Sequence, residues 1–361
     1  VTVPLGGCPT TGYTAPVTID GQLVQMLVDT GSTDLAVALT TCGNCDTEAA
    51  VNPAVGNICN NTRESSQYGD GSSWAGKECQ STVQVGSEMP AVTIDFAGMT
   101  TQNRFFRDED CSGNRLASSP IDGIIGFGPL GLDDIGHQAN DAYFNELVTQ
   151  GITDSFGLLL CTTGGGDMWF GGYDASFASG PALYTPITAG GFWDVNLSAI
   201  GIGPDSGPTD LNGSDSEAIV DSGTELFVMP QTAFNNLANF LSTDSATASV
   251  FGSGTINQAF FNNYSCATPT GGQSRAEVDA TLPPLRLTFP NASGGGSFTL
   301  LLPPTQSYLA PSGGQYCSAV VNSGYDTPGN TILGDAVLGA NITVFDIAQS
   351  KIGFVPQTTC N

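Results

Sequence analysis

The sequence holds one histidine, His137, and only 8 lysines and arginines against 34 aspartates and glutamates in 361 residues. A single imidazole excludes a Ser-His-Asp triad and any multi-histidine metal site. So few cations exclude tracking of nucleic-acid phosphates, which needs clusters of Lys and Arg, and they argue equally against an anionic membrane surface. The formal charge is −26, yet charged residues are only 12% of the chain, about half the usual share of roughly 25%. Glycine, serine, threonine and asparagine take their place on the surface. No apolar run approaches the roughly 18 residues of a membrane-spanning helix. The opening residues, Val1-Thr2-Val3-Pro4-Leu5, carry no signal peptide, so the chain reads as a mature, processed form.

Hydrophobic residues at 40% are enough to fill cores, and the length exceeds one ordinary core, so two lobes are expected. Ten cysteines, an even number spread along the chain, point to five disulfides and to a secreted or lumenal protein in an oxidising compartment. Cys42-Gly43-Asn44-Cys45 has no second C-x-x-C and no βαβ context, so it reads as a structural disulfide rather than a zinc or redox site. Glycosylation sequons begin at Asn60, Asn196, Asn212, Asn263, Asn291 and Asn341; Asn196 and Asn341 fall in strand-like runs.

Short β-rich runs dominate, among them Ala15–Ile19, Val24–Val28, Ser81–Val85, Ala91–Ile94, Phe156–Leu160, Met168–Phe170, Leu285–Phe289, Phe298–Leu302 and Ile342–Phe345. Alternating βαβ units are absent. The pattern predicts a mostly β fold with a few short helices, over Asp141–Gln150 and Pro230–Leu241. Leu27-Val28-Asp29-Thr30-Gly31-Ser32 recurs about half the chain later as Ile219-Val220-Asp221-Ser222-Gly223-Thr224. Each copy is followed by two aliphatics and a glycine, Ile124-Ile125-Gly126 and Ile332-Leu333-Gly334. Two motifs in the same order in each half predict two homologous lobes, 1–178 and 179–361, joined near Gly171–Pro186.

Each repeat ends a buried strand on an aspartate in a tight turn, with a glycine for close backbone approach and hydroxyls that can donate to the carboxylate. Pseudo-twofold packing would bring Asp29 and Asp221 face to face. Two carboxylates that close share one proton. The ionised one acts as base on a water and the protonated one donates to a substrate carbonyl. That hydrolyses a peptide bond with no metal or other cofactor.

On these residues the sequence resembles the pepsin family of aspartic proteases. Ile332-Leu333-Gly334-Asp335, Thr343-Val344-Phe345-Asp346 and Ile352-Gly353-Phe354 resemble the family's C-terminal signature, and Tyr68-Gly69-Asp70-Gly71-Ser72 sits where it carries a flap over substrate. The resemblance implies a bilobal acid-protease fold and an endopeptidase with a polypeptide substrate, inhibited by pepstatin-type compounds. It makes Asp29 and Asp221 the dyad, with Ser32 and Thr224 bonding the outer carboxylate oxygens and Gly31 and Gly223 beneath the substrate backbone. Tyr68, Gly69 and Asp70 would form the flap; Phe105, Phe106 and Leu116, and on the other side Phe192 and Ile219, would line pockets. The second half resembles beta-secretase-like members, a resemblance that implies the bridges Cys161–Cys360 and Cys266–Cys317, while the first half's cysteine and flap pattern looks like nepenthesin types. The family often has a tryptophan where this chain has Ala36, which predicts a flap tyrosine lacking its usual donor and therefore a loose flap. A monomer is expected, and a basic pro-segment removed on maturation would offset the charge.

Weaker motifs have plainer readings. Gly126-Phe127-Gly128-Pro129-Leu130-Gly131 fits G-x-G-x-x-G but lacks a βαβ unit, and packs behind Asp29 instead. Asp122 and Asp335 are expected to bond nearby backbone, Asp108-Glu109-Asp110 to form a solvated loop, and His137 to be exposed. The rival function is a catalytically inactive binding or inhibitor protein on the same fold. Replacement of either aspartate or its glycine would favour it, and neither is replaced.

Overall fold

The computed structural model describes every residue except 133, 134, 136–141, 213, 214 and 361. His137 and Asp141 therefore lie outside the described residues. Two β-rich lobes are built on a shared platform. Six neighbouring strands form it, in the order Leu183–Pro186, Lys351–Pro356, Asn341–Asp346, Ser155–Leu160, Gly166–Phe170 and Thr2–Cys8. Both halves of the chain thus contribute to one antiparallel sheet. Its inner strand Ser155–Leu160 is buried at every residue, as a strand covered on both faces should be. Phe156 and Phe345 stack at 4.5 Å on one face, a contact worth about 0.5–1.5 kcal/mol beyond simple burial. Leu159, Trp169, Ile342, Val344 and Val355 form a smaller cluster on the other.

Thr2–Cys8 joins the platform to the first lobe. Leu5 pairs with Gly166 on one side, and Gly6 pairs with Thr14 on the other. From there the sheet continues through Gly12–Ile19, Gln22–Asp29, Gly123–Gly126, Leu35–Ala38, Val92–Asn103, Ser73–Val85 and Cys59–Gln67. Each β-run legible in the sequence falls on one of the observed strands, except that Ala91 lies one residue before Val92–Asn103.

Helices are short. Gln231–Thr243 buries Ala233, Phe234, Leu237, Ala238 and Leu241 on one face and begins after Pro230, which pre-sets the first turn. Tyr143–Thr149 takes the place of the other expected helix. Ser245–Phe251, Gln258–Asn262, Arg275–Thr281 and Asp335–Leu338 were not anticipated. Arg275–Thr281 starts on a capping box between Ser274 and Glu277, a signal present in the sequence.

The ten cysteines form five disulfides, Cys8–Cys111, Cys42–Cys45, Cys59–Cys79, Cys161–Cys360 and Cys266–Cys317. The first three stay within the opening 111 residues. Among the described residues no helix is long and apolar enough to cross a membrane.

Candidate active site

The sequence repeat is also a repeat of topology. Gln22–Asp29 runs parallel to Gly123–Gly126, with Asp29 opposite Gly126. Asp215–Val220 runs parallel to Thr331–Leu333, with Val220 opposite Leu333. In each half a third strand, Leu35–Ala38 or Phe227–Met229, lies antiparallel to the short one. That strand is in turn parallel to a fourth, Val92–Asn103 or Val320–Asn322. The aspartate loop is thereby clasped against the aliphatic-glycine run. The Phe127 N–H donates to the Asp29 carbonyl at 2.7 Å, and the Asp221 N–H donates to the Leu333 carbonyl at 3.1 Å. A Cβ at Gly126 or Gly334 would strike the backbone of the clasped loop. The G-x-G-x-x-G segment is therefore a packing element.

The two loops hold their carboxylates in matching ways. Asp29 Oδ1 accepts from the Gly31 N–H at 2.7 Å, and its Oδ2 accepts from the Ser32 hydroxyl. Asp221 Oδ1 accepts from the Gly223 N–H at 2.8 Å, and its Oδ2 accepts from the Thr224 hydroxyl at 2.6 Å. The glycines have a role beyond these bonds. A Cβ on Gly31 would lie 2.6 Å from Asp221 Cγ, and one on Gly223 would collide with Asp29 Oδ1. Each glycine therefore leaves the space that the opposite carboxylate occupies. Burial, and then the neighbouring charge of Asp221, push the Asp29 carboxyl well above the usual range, against the bonds from Ser32 and Gly31. One proton between the pair is the state this environment favours.

Beneath the carboxylates Thr30 and Ser222 are both fully buried. The Thr30 N–H donates to Ser222 Oγ at 3.2 Å, and the Ser222 N–H donates to Thr30 Oγ1 at 2.9 Å. Their hydroxyls donate onward to the opposite strands, Thr30 to the Val220 carbonyl at 3.0 Å and Ser222 to the Val28 carbonyl at 2.8 Å. Sequence reasoning assigned these two residues no part of their own. Their signal was the hydroxyl shared by both copies at the position after the aspartate.

Tyr68 begins the tip of the hairpin between Cys59–Gln67 and Ser73–Val85. The tip closes with the Tyr68 N–H on the Ser72 carbonyl at 2.9 Å and the Gly71 N–H on the Tyr68 carbonyl at 3.0 Å. Gly71 has φ 81°, where a side chain is disfavoured. Asp70 Oδ1 accepts from the Ser72 N–H at 2.8 Å, and no atom lies within 4 Å of a Cβ built on Gly69. The expected loose tyrosine is not found. Trp74 Nε1 donates to the Tyr68 hydroxyl at 2.9 Å, so a tryptophan of the second strand of this hairpin supplies the donor. Ala36 packs in the same cluster as Trp74, Ala97, Met99 and Ile124, with Tyr68, Phe105 and Phe106 against it. The Phe105 ring lies 5.5 Å from that of Tyr68, and Phe106 meets Phe105 edge-on at 5.0 Å. Leu116, Phe192 and Ile219 lie outside this cluster. Leu116 is half-buried, Phe192 is 37% exposed, and Ile219 is a buried strand residue opposite Ile332.

The two extra acids differ. Asp122 bonds backbone as expected, accepting from the N–H groups of Gln25 and Ala49 at 2.8 Å each. Asp335 does not: it is fully buried, and neither side-chain oxygen has a hydrogen-bond partner among the described residues. Burial, followed by the charges of Glu225, Asp221 and Asp29, raises its carboxyl far above the usual range, so a neutral side chain fits that space. Asp110 forms a surface turn, its Oδ1 accepting from the N–H groups of Ser112 and Asn114 at 2.8 and 2.9 Å.

Two facing carboxylates at the ends of matching strand–loop units, near a hairpin that carries a tyrosine, define an aspartic peptidase of the pepsin-like class. The chain belongs to the eukaryotic aspartyl protease family, whose sequence model matches residues 12–357. It is 28% identical to an aspartic protease of Phaffia rhodozyma over 354 residues, 95% of this chain and 75% of that protein. It is also 28% identical to rhizopuspepsin-4 of Rhizopus niveus over 357 residues, 95% and 77% of the two chains. Pepsin A of Bos taurus is 28% identical over 347 residues, 93% and 81%. The chain is an aspartic endopeptidase, and its substrates are polypeptides.

Proposed function

We propose that Asp29 and Asp221 form the catalytic dyad of this endopeptidase and that it works in acid. The observation that carries this reading is the reciprocal fit of Gly31 to Asp221 and Gly223 to Asp29, which lets the two carboxylates approach each other. One carboxyl of the pair holds the shared proton and donates it to the substrate carbonyl oxygen, while the other, ionised, takes a proton from a water held between the two. The water oxygen adds to the carbonyl carbon, and the adduct collapses with a proton passed to the leaving amine. Ser32 and Thr224 fix the outer oxygens, so the carboxylates keep one orientation through these transfers.

The first lobe is taken as residues 1–178 and the second as 179–361. Tyr68, Gly69 and Asp70 form the flap, which excludes water over a bound chain. Phe105, packed on Tyr68, and Phe106, edge-on to Phe105, are the best-supported pocket walls; Leu116, Phe192 and Ile219 are assigned more remote contacts. The protein is read as a secreted or lumenal monomer whose precursor carries a basic pro-segment. Asn60 and Asn263, both exposed, are the sequons best placed for glycans.

The test is cleavage of an unfolded protein across a pH series, with and without pepstatin, by wild type, Asp29→Asn and Asp221→Asn. Acid activity blocked by pepstatin and absent from both folded variants is expected. Near-wild-type turnover in either variant would remove the dyad assignment.

A further inference from the structure

Among the described residues five ion pairs are present, and Arg107–Glu225 alone joins a residue of the first half to one of the second. Arg107 follows Phe105, which packs on Tyr68, and Phe106, which packs on Phe105. Glu225 follows Thr224, whose hydroxyl bonds Asp221. Arg107 Nη1 donates to Glu225 Oε1, so the contact runs from the loop beside the flap to the loop that holds the second aspartate. Asp70 of the flap tip lies close enough to feel the charges of both Arg104 and Arg107. In a chain with only 8 cations, two stand at this one place.

We propose that Arg107 and Glu225 are positioning residues that latch the cleft: their ion pair ties the loop beside the flap to the Asp221 loop. A bound polypeptide must part this tie in order to lie across that side of the dyad. This rests on the assignment of Asp29 and Asp221 as the dyad.

The charges around the pair make the latch responsive to pH. Burial pushes the Glu225 carboxyl up to about 7, against the pull of Arg107 and with the help of Asp70 and Glu109. Asp335 faces it from the helix behind the loop and is itself held neutral by burial and by Glu225. Asp221 lies on its own loop. Glu225 therefore gains its charge only as neutrality is approached. The closed loop thus holds this proton more tightly than a lifted, solvated loop would, so closing takes up a proton and the latch weakens as pH climbs toward neutrality. It is tightest in acid and slackens where Glu225 would have to stay buried as an anion.

The experiment measures KM and kcat separately, at about pH 4.5 and about pH 6.5, on an internally quenched peptide long enough to fill the cleft. Wild type, Glu225→Gln, Arg107→Ala and Glu225→Asp are compared. All keep both aspartates, so a protein without peptidase activity would show in the wild type and not as a difference between variants. Wild-type KM should fall with pH by about threefold, the scale of a half-exposed ion pair. Glu225→Gln should lose that fall, Glu225→Asp should keep it, Arg107→Ala should have the lower KM at both pH values, and kcat should follow one pH profile in all four. An equal fall of KM in wild type and Glu225→Gln overturns the latch. So does a shift of the kcat profile in Glu225→Gln with KM unaltered.

Discussion

Thr30 and Ser222 exchange hydrogen bonds in both directions across the junction of the two lobes, at 3.2 and 2.9 Å. Among the described residues no other pair links the two motifs so directly to each other's backbone. The position of one carboxylate relative to the other is therefore set by neutral, buried groups that do not titrate.

Thr30→Ala should lower stability by about 2–4 kcal/mol, because it leaves the buried Ser222 N–H without its acceptor and the Val220 carbonyl without a donor. Turnover should fall as well, since the carboxylates lose their fixed spacing. Denaturant unfolding and kcat on a peptide substrate check both halves. A variant as stable as wild type would show that the exchange is incidental.

Gly31→Ala should cost about 100-fold in kcat with little loss of fold. The new methyl falls 2.6 Å from Asp221 Cγ and must push the carboxylate aside, and a displacement of about 1 Å is enough for such a loss. The measurement is single-turnover cleavage, with circular dichroism as the control for folding.

Trp74→Phe keeps the ring but removes the donor to Tyr68, so kcat/KM should drop about 2- to 10-fold. Ala36→Trp is not a repair of the flap here. Ala36 is fully buried beside Ala97 and Ile124, and overpacking should destabilise the protein by about 1–3 kcal/mol. Steady-state kinetics and thermal melts separate the two effects.

Stability should fall as pH rises from about 4.5 to about 7.5. Burial raises the Asp29, Asp335 and Glu225 carboxyls, Glu225 to about 7. Each therefore binds its proton more tightly in the folded chain than in the unfolded one. The unfolded state loses its protons first, and the stability these groups contribute disappears as pH climbs through their folded values. Below pH 4 the sign reverses, because Asp110 and Glu277 are held below the usual range by bonds from Asn114 and Ser274. Scanning calorimetry across pH should show Tm highest in mild acid; a Tm that rises toward neutrality contradicts this account.

The strands and the pair of aspartates were legible because both rest on local pattern: short β-rich runs, and a six-residue motif written twice. The flap's true partner was not. Ala36 was read as a missing donor, yet Trp74 sits six residues after Tyr68, and only the hairpin's closure brings its indole to the hydroxyl. The glycines were expected beneath substrate; their contact with the opposite aspartate depends on how two distant loops dock, which no local pattern encodes. Glu225 and Arg107 carried no motif at all. The helices after Thr243 were short and capped by single residues such as Asp244 and Asn257, too little signal to stand out among loops.

The Cys161–Cys360 bond closes a loop of chain that contains the whole of the second motif and the joint between the lobes. A cut anywhere within that loop, for instance in the glycine-rich stretch around Gly171, leaves two polypeptides that are still one molecule. They would run as a single band on a non-reducing gel and separate only when the bond is reduced. An enzyme that cleaves chains for its living can in this way be nicked, even by its own kind, without parting the two aspartates.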